Sequence, residues 1–306
     1  MKELCTKALL TATIMTSPTF CKSRYLILYL IHALDIFCDF DETITLNDTL
    51  QLVASAAYDS PNRAVANPPP WSFFVESYLA DYAEQKQSYD PIVTLDQELD
   101  FLRSLEPIEL KSVHRTEYLQ LFKGITDDDI AKEATKVEFR NGWHQFVHEI
   151  LGRGYPLCVI SVNWSGYFIS KALSLDTTTY PSIQVIANEI IMDADGHASG
   201  KLSKSNEADI RIGDDKKREM EQELKEMKFD GKSVYFGNST GDLPCLLTAD
   251  IGIIMGKDED FLASLKDWNI QVVRKSSILT ILDSASCLHQ SSKKNMLLYQ
   301  VDDWTL

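Results

Sequence analysis

The sequence predicts an α/β protein in which a parallel sheet forms the core and an all-helical segment is inserted after the first strand. Short apolar runs alternate with helical patterns from residue 141 onward, and such alternation produces parallel sheets covered on both faces. The first apolar run, Ile36–Cys38, ends abruptly in acids, as expected for a buried parallel strand with a site at its carboxyl end. Residues 49–137 show helical spacing without a strand pattern.

The remaining elements are predicted in order after the inserted segment. A helix that contains Trp143 ends at Gly152, and a charged helix covers residues 214–228. The predicted strands are 157–161, an extended run at 183–191, 233–236, 251–255 and a last strand near 270–273. Because ligands of such sheets bind beyond the carboxyl ends of the strands, the loops after these strands are the candidate functional regions.

These patterns divide the chain into three parts. Residues 35–48 and 138–306 form the predicted core domain, and residues 49–137 form the predicted helical cap domain. Residues 1–34 are a poorly defined leader whose basic, Ser- and Thr-rich composition faintly resembles a mitochondrial transit peptide, and its apolar stretch is too short to span a membrane. We therefore predict a cytoplasmic protein and leave mitochondrial targeting open.

Composition restricts the kinds of partner. The formal net charge is −15 and the pI is about 4.8, which argues against nucleic acid or a membrane surface as the main partner, because both require a basic face. The six cysteines include no CxxC pair, which favours reduced, buried thiols. A small-molecule ligand is the partner class that remains.

The run Asp39-Phe40-Asp41-Glu42-Thr43 carries the strongest chemical signal. Two acids that lie two residues apart at a strand end can meet the same ligand. One carboxylate can attack phosphorus, while the other donates a proton to the leaving oxygen and later accepts one from water. Mg²⁺ would offset the repulsion between the carboxylates and the charge of a phosphate. The alternative is a solvated acidic turn.

Three further candidate site residues or motifs lie at later strand ends or helix starts. Ser161 ends the second predicted strand, Lys216 lies in a charged helix with Lys217 as its alternative, and Gly237–Asp242 follows another strand. Separately, these residues are typical of a turn, a solvated lysine and a helix cap. Their occurrence in this order at strand ends favours a phosphate site with Mg²⁺ over unrelated structural roles.

The pattern as a whole resembles a known family. DxDxT at Asp39–Thr43, then a strand-terminal serine, a lysine and GNxxxD at Gly237–Asp242 resemble the haloacid dehalogenase-like (HAD) phosphatases from residue 36 onward. This resemblance implies a Rossmann-like core with a helical cap, as in the phosphoserine phosphatase-like group. Ile160–Ser165 and Gly237–Leu247 are similar to the phosphatase domain of plant thiamin monophosphate phosphatase and its fungal relatives.

The resemblance implies roles for individual residues. Asp39 would be the nucleophile that becomes an aspartyl phosphate and ligates Mg²⁺, and Asp41 would be the acid/base with its main-chain carbonyl on the metal. Thr43 would brace the loop. Ser161 and Lys216 would hold the phosphoryl group.

The third motif contains a departure from the family pattern. Asn238 and Asp242 would complete the metal site, but the family usually has Asp where this chain has Asn238. An amide oxygen can ligate Mg²⁺, yet it removes one negative charge from the site. The departure therefore bears on metal affinity more than on the reaction.

Aromatic residues of the inserted segment are candidate substrate contacts. Trp71, Phe73 and Tyr78 could stack on a flat cationic ring such as that of thiamin, or they could form the core of the cap. His144 and His148 lie one helical turn apart, but without a third ligand nearby in sequence we expect them to be surface or packing residues.

The predicted function is Mg²⁺-dependent hydrolysis of a small-molecule phosphate ester, with thiamin monophosphate as the suggested substrate. Three alternatives stay open. They are a phosphomutase, a phosphoserine phosphatase-type activity, and a non-catalytic binding protein on a phosphatase scaffold.

Overall fold

A computed structural model describes residues 34–173, 183–202, 209–226, 231–287 and 296–306. The predicted leader lies outside these residues except for Leu34, which begins the first strand. The strands are β1 Leu34–Cys38, β2 Leu157–Ile160, β3 Ile183–Ile186, β4 Ile190–Met192, β5 Ala198–Leu202, β6 Lys232–Gly237, β7 Ile251–Met255, β8 Gln271–Arg274 and β9 Leu297–Val301.

Helices surround these strands in the described parts of the chain. Five lie between β1 and the end of the inserted segment: α1 Leu50–Asp59, α2 Trp71–Gln87, α3 Leu95–Ser104, α4 Glu106–Tyr118 and α5 Asp127–Ala134. The others are α6 Trp143–Gly152, α7 Gly166–Ala172, α8 Gly213–Glu226, α9 Leu243–Thr248, α10 Glu259–Asp267 and α11 Ile278–Cys287.

The central sheet has seven strands in the order β3-β2-β1-β6-β7-β9-β8, and every neighbouring pair is parallel. All residues of β1 are buried. Ile36 and Cys38 pack in one hydrophobic cluster and Phe37 in another, because successive side chains of a strand point to opposite faces. The sheet is thus covered on both faces, which confirms the predicted α/β architecture.

The segment between β1 and β2 is helical, as predicted. Thr126 caps α5 through a reciprocal capping box with Asp129, which confirms the predicted N-cap. Phe74 of α2 and Phe122 after α4 belong to the same buried cluster as Ile36 of β1. The division into cap and core at residues 49 and 137 stays a prediction.

The structure differs from the sequence prediction in two regions. The extended run at 183–191 is divided, since β3 joins the sheet while β4 pairs antiparallel with the unpredicted β5. The side chain of Asn188, between β3 and β4, donates to the main-chain oxygens of Val162 and Ile210 and so ties the chain to other loops. The strand at 271–274 is not the last, because β9 follows it and lies between β7 and β8.

Several smaller expectations are also confirmed. In the described part of the chain, Cys38, Cys158 and Cys245 are free and buried. His144 and His148 are exposed, and the ring of His144 packs against Phe139. Separately from these expectations, none of the helices that the structure describes combines the length and the apolar character needed to cross a membrane, and the apolar stretch of the predicted leader lies outside the described residues.

Candidate active site

The predicted site residues follow three neighbouring strands. Asp39 comes directly after β1, Ser161 after β2 and Asn238 after β6, and β1 lies between β2 and β6 in the sheet. The carboxyl ends of parallel strands meet at one edge of the sheet, so adjacent strands bring these loops together. The topology therefore places residues that are about 200 positions apart in sequence at one edge.

A buried ion-pair cluster lies at the centre of this edge. The Lys216 Nζ is 2.7 Å from Asp39 Oδ1 and 2.9 Å from Asp242 Oδ1. All three residues are buried, with Asp39 6% and Asp242 0% exposed. Lys217, the alternative lysine, instead lies 3.9 Å from Glu221 with its side chain 39% exposed. Lys216 is therefore the lysine that faces the DxDxT loop.

The charges of this cluster depend on one another. Burial raises the pKa of the Asp39 carboxyl to about 7, with the Lys216 ammonium opposing the shift and Asp242 adding to it. Burial lowers the pKa of Lys216, but the carboxylates of Asp242 and Asp39 outweigh that effect and hold it above its usual range. A fixed positive charge thus lies beside Asp39, where an incoming phosphate would need it.

Two glycines permit the close approach that forms the cluster. A Cβ on Gly213, the first residue of α8, would lie 2.3 Å from the main-chain oxygen of Gly241 and 2.9 Å from Pro244. A Cβ on Gly237 would lie 2.5 Å from the side chain of Asp242. Without side chains at these positions, α8 and the turn after β6 can come close enough for Lys216 to reach Asp242.

Asp242 is saturated with hydrogen bonds. Besides Lys216, its Oδ1 accepts a bond from the Tyr235 hydroxyl at 2.9 Å, and its Oδ2 accepts main-chain N–H bonds from Asn238 and Ser239. These contacts orient Lys216 and close the turn. The role of Asp242 as a metal ligand stays a prediction.

Asp41 belongs to a second polar network that reaches the end of β2. The main-chain N–H and the hydroxyl of Thr49 donate to Asp41 Oδ1 at 2.8 and 2.5 Å, and Asn163 Nδ2 donates to Asp41 Oδ2 at 3.0 Å. The main-chain N–H of Asn163 also donates to the Ser161 hydroxyl at 3.1 Å. The Ser161 hydroxyl is an acceptor in this bond. Its O–H can therefore still act as a donor, as a bound phosphoryl oxygen would require.

Thr43 and Asn238 connect the first and third motifs. The Thr43 hydroxyl donates to Asn238 Oδ1 at 3.0 Å, and Asn238 Nδ2 donates to the Glu42 carboxylate at 3.4 Å. Glu42, within this loop, has a φ of 54°, which places it in the left-handed region of backbone conformation. The predicted bracing role of Thr43 is consistent with this contact.

The donor types around Asp39 fit a hard divalent cation. Asp39 offers a carboxylate, Asp41 a main-chain carbonyl and Asn238 an amide oxygen, and Mg²⁺ binds through one or two carboxylates while waters and substrate oxygens complete its shell. Among the residues that the structure describes, no three His, Cys, Asp or Glu side chains form a metal cluster. A cation here would therefore depend on mixed oxygen ligands.

The three aromatic candidates have different surroundings. Trp71 packs edge-on against Trp164 at 6.1 Å between ring centroids, which places it beside the segment that follows Ser161. Phe73 is 41% exposed, whereas the Tyr78 hydroxyl donates to Glu109 at 2.6 Å. Trp71 and Phe73 remain candidates for substrate contact, while the contact of Tyr78 is made within the helical segment.

Sequence reasoning did not identify three residues of these networks. Thr49 precedes a predicted helix, Asn163 lies within the motif at 160–165, and Tyr235 lies in an apolar strand. Only Asn163 carried a signal, because it is a polar residue directly after the strand that ends at Ser161. Thr49 and Tyr235 carried none, although their partners Asp41 and Asp242 are only eight and seven positions away in the chain.

The chain matches a family defined by this fold and this arrangement of acids. The family profile of haloacid dehalogenase-like hydrolases matches residues 36–247, which is more than half of the 306 residues. The protein belongs to the haloacid dehalogenase-like hydrolases. This assignment confirms the predicted family and the prediction that the protein is a hydrolase.

Individual relatives are more distant. A CTO1 family protein of Schizosaccharomyces pombe is 27% identical over 241 residues, which cover 75% of this chain and 85% of that protein. The Bifunctional TH2 protein, mitochondrial, of Arabidopsis thaliana is 26% identical over 244 residues, covering 72% of this chain but only 39% of that protein. A phosphoserine phosphatase in its apo form is 18% identical with a TM-score of 0.46, covering 76% of this chain and 89% of that one.

Proposed function

We propose that the protein is a Mg²⁺-dependent phosphatase that hydrolyses a small-molecule phosphate monoester with Asp39 as the nucleophile. The observation that carries the proposal is the buried contact between Asp39 and Lys216 at the carboxyl edge of the sheet. A carboxylate beside a fixed ammonium suits attack on a phosphate, because the ammonium attracts the anion and offsets the charge that builds up during transfer.

In the first step, an oxygen of Asp39 attacks phosphorus and the bond between phosphorus and the ester oxygen breaks. Asp41 donates its proton to the leaving oxygen, which departs as an alcohol. Lys216 and the Ser161 hydroxyl bind the phosphoryl oxygens during transfer. The product of this step is an aspartyl phosphate on Asp39.

In the second step, water attacks the phosphorus of the aspartyl phosphate. Asp41, now ionised, accepts a proton from that water while the bond between phosphorus and the Asp39 oxygen breaks. Inorganic phosphate leaves, and both carboxyl groups return to their starting states. The hydrogen bonds from Thr49 and Asn163 hold Asp41 close to the end of β2, beside Ser161.

Asp39, the main-chain carbonyl of Asp41 and Asn238 are the residues that would hold Mg²⁺, with Asp242 as a predicted further ligand. When bound, the cation would supply positive charge against the phosphate and the nucleophile. This proposal rests on the donor types at the site and on the family to which the chain belongs.

For the substrate we propose thiamin monophosphate. The motifs at 160–165 and 237–247 support this choice through their resemblance to thiamin monophosphate phosphatases. The contact between Trp71 and Trp164 adds a physical argument, because it brings an aromatic residue of α2 beside the segment after Ser161. A flat cationic ring gains from aromatic faces by stacking and cation–π attraction.

The test is phosphate release from a panel of esters that contains thiamin monophosphate and phosphoserine, with Mg²⁺ and with excess chelator. We expect Mg²⁺-dependent release, with thiamin monophosphate preferred. Better turnover of phosphoserine would refute the substrate while preserving the reaction. Transfer of labelled phosphate to a second hydroxyl would indicate a phosphomutase, and no release from any ester would favour a binding protein.

Asp39→Asn tests the nucleophile directly. An amide cannot form the acyl phosphate, so turnover should fall to background, while the near-isosteric change should keep the fold. Acid-quenched wild-type enzyme should carry labelled phosphate, and the variant should carry none. Asp59→Asn, at an aspartate whose side chain is 55% exposed, is the matched control and should keep its activity. Measurable hydrolysis by homogeneous Asp39→Asn would refute the assignment.

A further inference from the structure

Three consecutive main-chain carbonyls, the last two of the DxDxT loop and that of Ile44 directly after it, accept hydrogen bonds from residues that the sequence did not connect with the site. The main-chain oxygen of Glu42 accepts hydrogen bonds from two nitrogens of the Arg140 guanidinium, Nε at 3.1 Å and Nη2 at 2.5 Å. The Thr43 oxygen accepts a bond from Trp304 Nε1 at 3.1 Å. The Ile44 oxygen accepts a bond from the main-chain N–H of Arg140 at 2.9 Å.

Trp304 is fixed by the core and not by solvent-facing contacts. It is completely buried, and its ring lies within 4.9 Å of the rings of Trp143, Phe146 and Phe236. Its main-chain N–H donates to the oxygen of Asn141 at 3.0 Å. An indole that is packed on several sides has little rotational freedom, so the direction of its N–H is set by the core.

A chain of two hydrogen bonds connects Trp304 with Asn238 of the candidate metal site. The Trp304 indole donates to the Thr43 carbonyl, and the Thr43 hydroxyl donates to Asn238 Oδ1 at 3.0 Å. Thr43 is completely buried, so no solvent replaces a lost partner without rearrangement of the loop. The orientation of Asn238 is thereby linked to a side chain near the carboxyl terminus.

We propose that Trp304 is a positioning residue for the DxDxT loop, and that its indole N–H holds Thr43 so that Asn238 keeps its orientation. Trp304 lies outside residues 36–247, which the family profile matches, so the assignment comes from this structure. The catalytic part of this inference rests on the proposed phosphatase function. The mechanical part, that the indole restrains the loop, does not.

Trp304→Phe tests the proposal because it keeps an aromatic ring in the cluster and deletes the N–H donor. Trp143→Phe is the matched control, because it also replaces an indole by a phenyl ring in the same aromatic cluster. In the described part of the chain, Trp143 makes no hydrogen bond to the DxDxT loop, whereas Trp304 does. Hydrogen–deuterium exchange of peptides covering residues 39–45 is the first readout, since the N–H groups of Ile44 and Thr45 donate to Phe40 within that loop.

Loss of one buried hydrogen bond should accelerate exchange of the loop about fivefold in Trp304→Phe relative to Trp143→Phe. The Mg²⁺ concentration for half-maximal activity should rise by a similar factor in Trp304→Phe alone, because Asn238 loses its fixed orientation. The KM for the ester at saturating Mg²⁺ should change little in either variant. Equal loop exchange in the two variants would overturn the proposal.

The exchange measurement also separates this inference from the proposed function. If the wild-type protein releases phosphate from no ester, the proposed function fails, yet accelerated loop exchange in Trp304→Phe would still establish the restraint. Should Trp304→Phe not fold, the unmodified protein decides the question. Its Trp304 indole proton should exchange at least tenfold more slowly than that of half-buried Trp268, and fast exchange would overturn the proposal.

Discussion

Two residues of the candidate site, Lys216 and Asn238, differ in the charge that they contribute. Lys216 supplies a fixed positive charge that two carboxylates hold in place. In the proposed metal site, Asn238 would supply an oxygen without a negative charge, where a carboxylate would bind a cation more strongly. The Glu42 carboxylate lies 3.4 Å from the amide nitrogen of Asn238, so a carboxylate at position 238 would face another negative group.

Asn238→Asp should therefore increase the affinity of the site for Mg²⁺. An added anionic ligand strengthens the binding of hard cations, and a bound cation would also relieve the new repulsion between position 238 and Glu42. We expect the Mg²⁺ concentration for half-maximal activity to fall about tenfold, which corresponds to about 1.4 kcal/mol. The saturated rate should change less, because Asp39 and Asp41 are untouched.

A titration of activity against Mg²⁺ checks this result. Gln51→Glu is the control, because it adds the same negative charge at an exposed position of α1. It measures how far an added negative charge that is not a ligand changes the Mg²⁺ requirement. An unchanged Mg²⁺ requirement in Asn238→Asp would mean that residue 238 does not contact the metal.

At the scale of elements, the position of α8 decides whether Lys216 reaches the loop after β1. The first residue of α8 is Gly213, and its Cα faces the main-chain oxygen of Gly241 and the ring of Pro244. Lys216 follows less than one turn later on the same helix. A displacement of the start of α8 therefore becomes a displacement of the ammonium.

Gly213→Ala should separate α8 from the turn at 240–244. The new Cβ would lie 2.3 Å from a main-chain oxygen that cannot rotate away, so the helix or the turn must move. Overpacking of this kind costs about 1–3 kcal/mol of unfolding free energy, and a shift of 1 Å at a site can cost about 100-fold in rate. We expect a lower melting temperature and a fall in kcat/KM of about tenfold or more.

Gly152→Ala provides the matched control for that variant. Gly152 ends α6, and a Cβ there would meet no atom within 4 Å, so alanine should be neutral or slightly stabilising through its higher helix propensity. Thermal unfolding and steady-state kinetics of both variants decide the matter. Wild-type kcat/KM in Gly213→Ala would show that the contact between α8 and the turn does not control Lys216.

The stability of the whole molecule depends in part on a carboxyl group that is buried at the end of β1 opposite the candidate site. Asp35 is 1% exposed, and neither carboxyl oxygen has a hydrogen-bond partner in the described structure. Burial raises the pKa of this carboxyl to about 6. Because the folded state favours the protonated form, Asp35 opposes folding progressively as the pH rises from about 4 through 6.

Asp35→Asn should therefore stabilise the protein more at pH 7.5 than at pH 4.5. The amide is neutral in both the folded and unfolded states, so the variant lacks the loss of stability that ionisation of Asp35 causes. We expect the difference in melting temperature, variant minus wild type, to become more positive by a few degrees across that interval. Asp35→Val should show the same trend, and a difference that is constant with pH would contradict the explanation.

Sequence reasoning succeeded for features that are local. The burial of β1 follows from consecutive apolar residues, and the N-cap at Thr126 follows from the acids in the next turn. Asp39, Ser161 and Lys216 could be proposed as site residues because each lies at a strand end or helix start, and the structure brings Lys216 to Asp39 while their catalytic and binding roles stay predictions. The strand β5 and the separate hairpin were not predicted, since Ala198–Leu202 has few apolar residues and its pairing depends on β4.

The sequence by itself determined the α/β class, the helical segment after β1, the family and the acids of the DxDxT loop, because apolar spacing and short motifs are properties of neighbouring residues. Only the tertiary structure decided that Lys216 and not Lys217 faces Asp39, that Thr49 and Asn163 bind Asp41, and that Trp304 holds Thr43. Apart from the contact between Thr49 and Asp41, these contacts join residues that are far apart in the chain. Their geometry depends on the strand order, on the close approach that Gly213 allows and on the packing of the core, none of which a local pattern encodes.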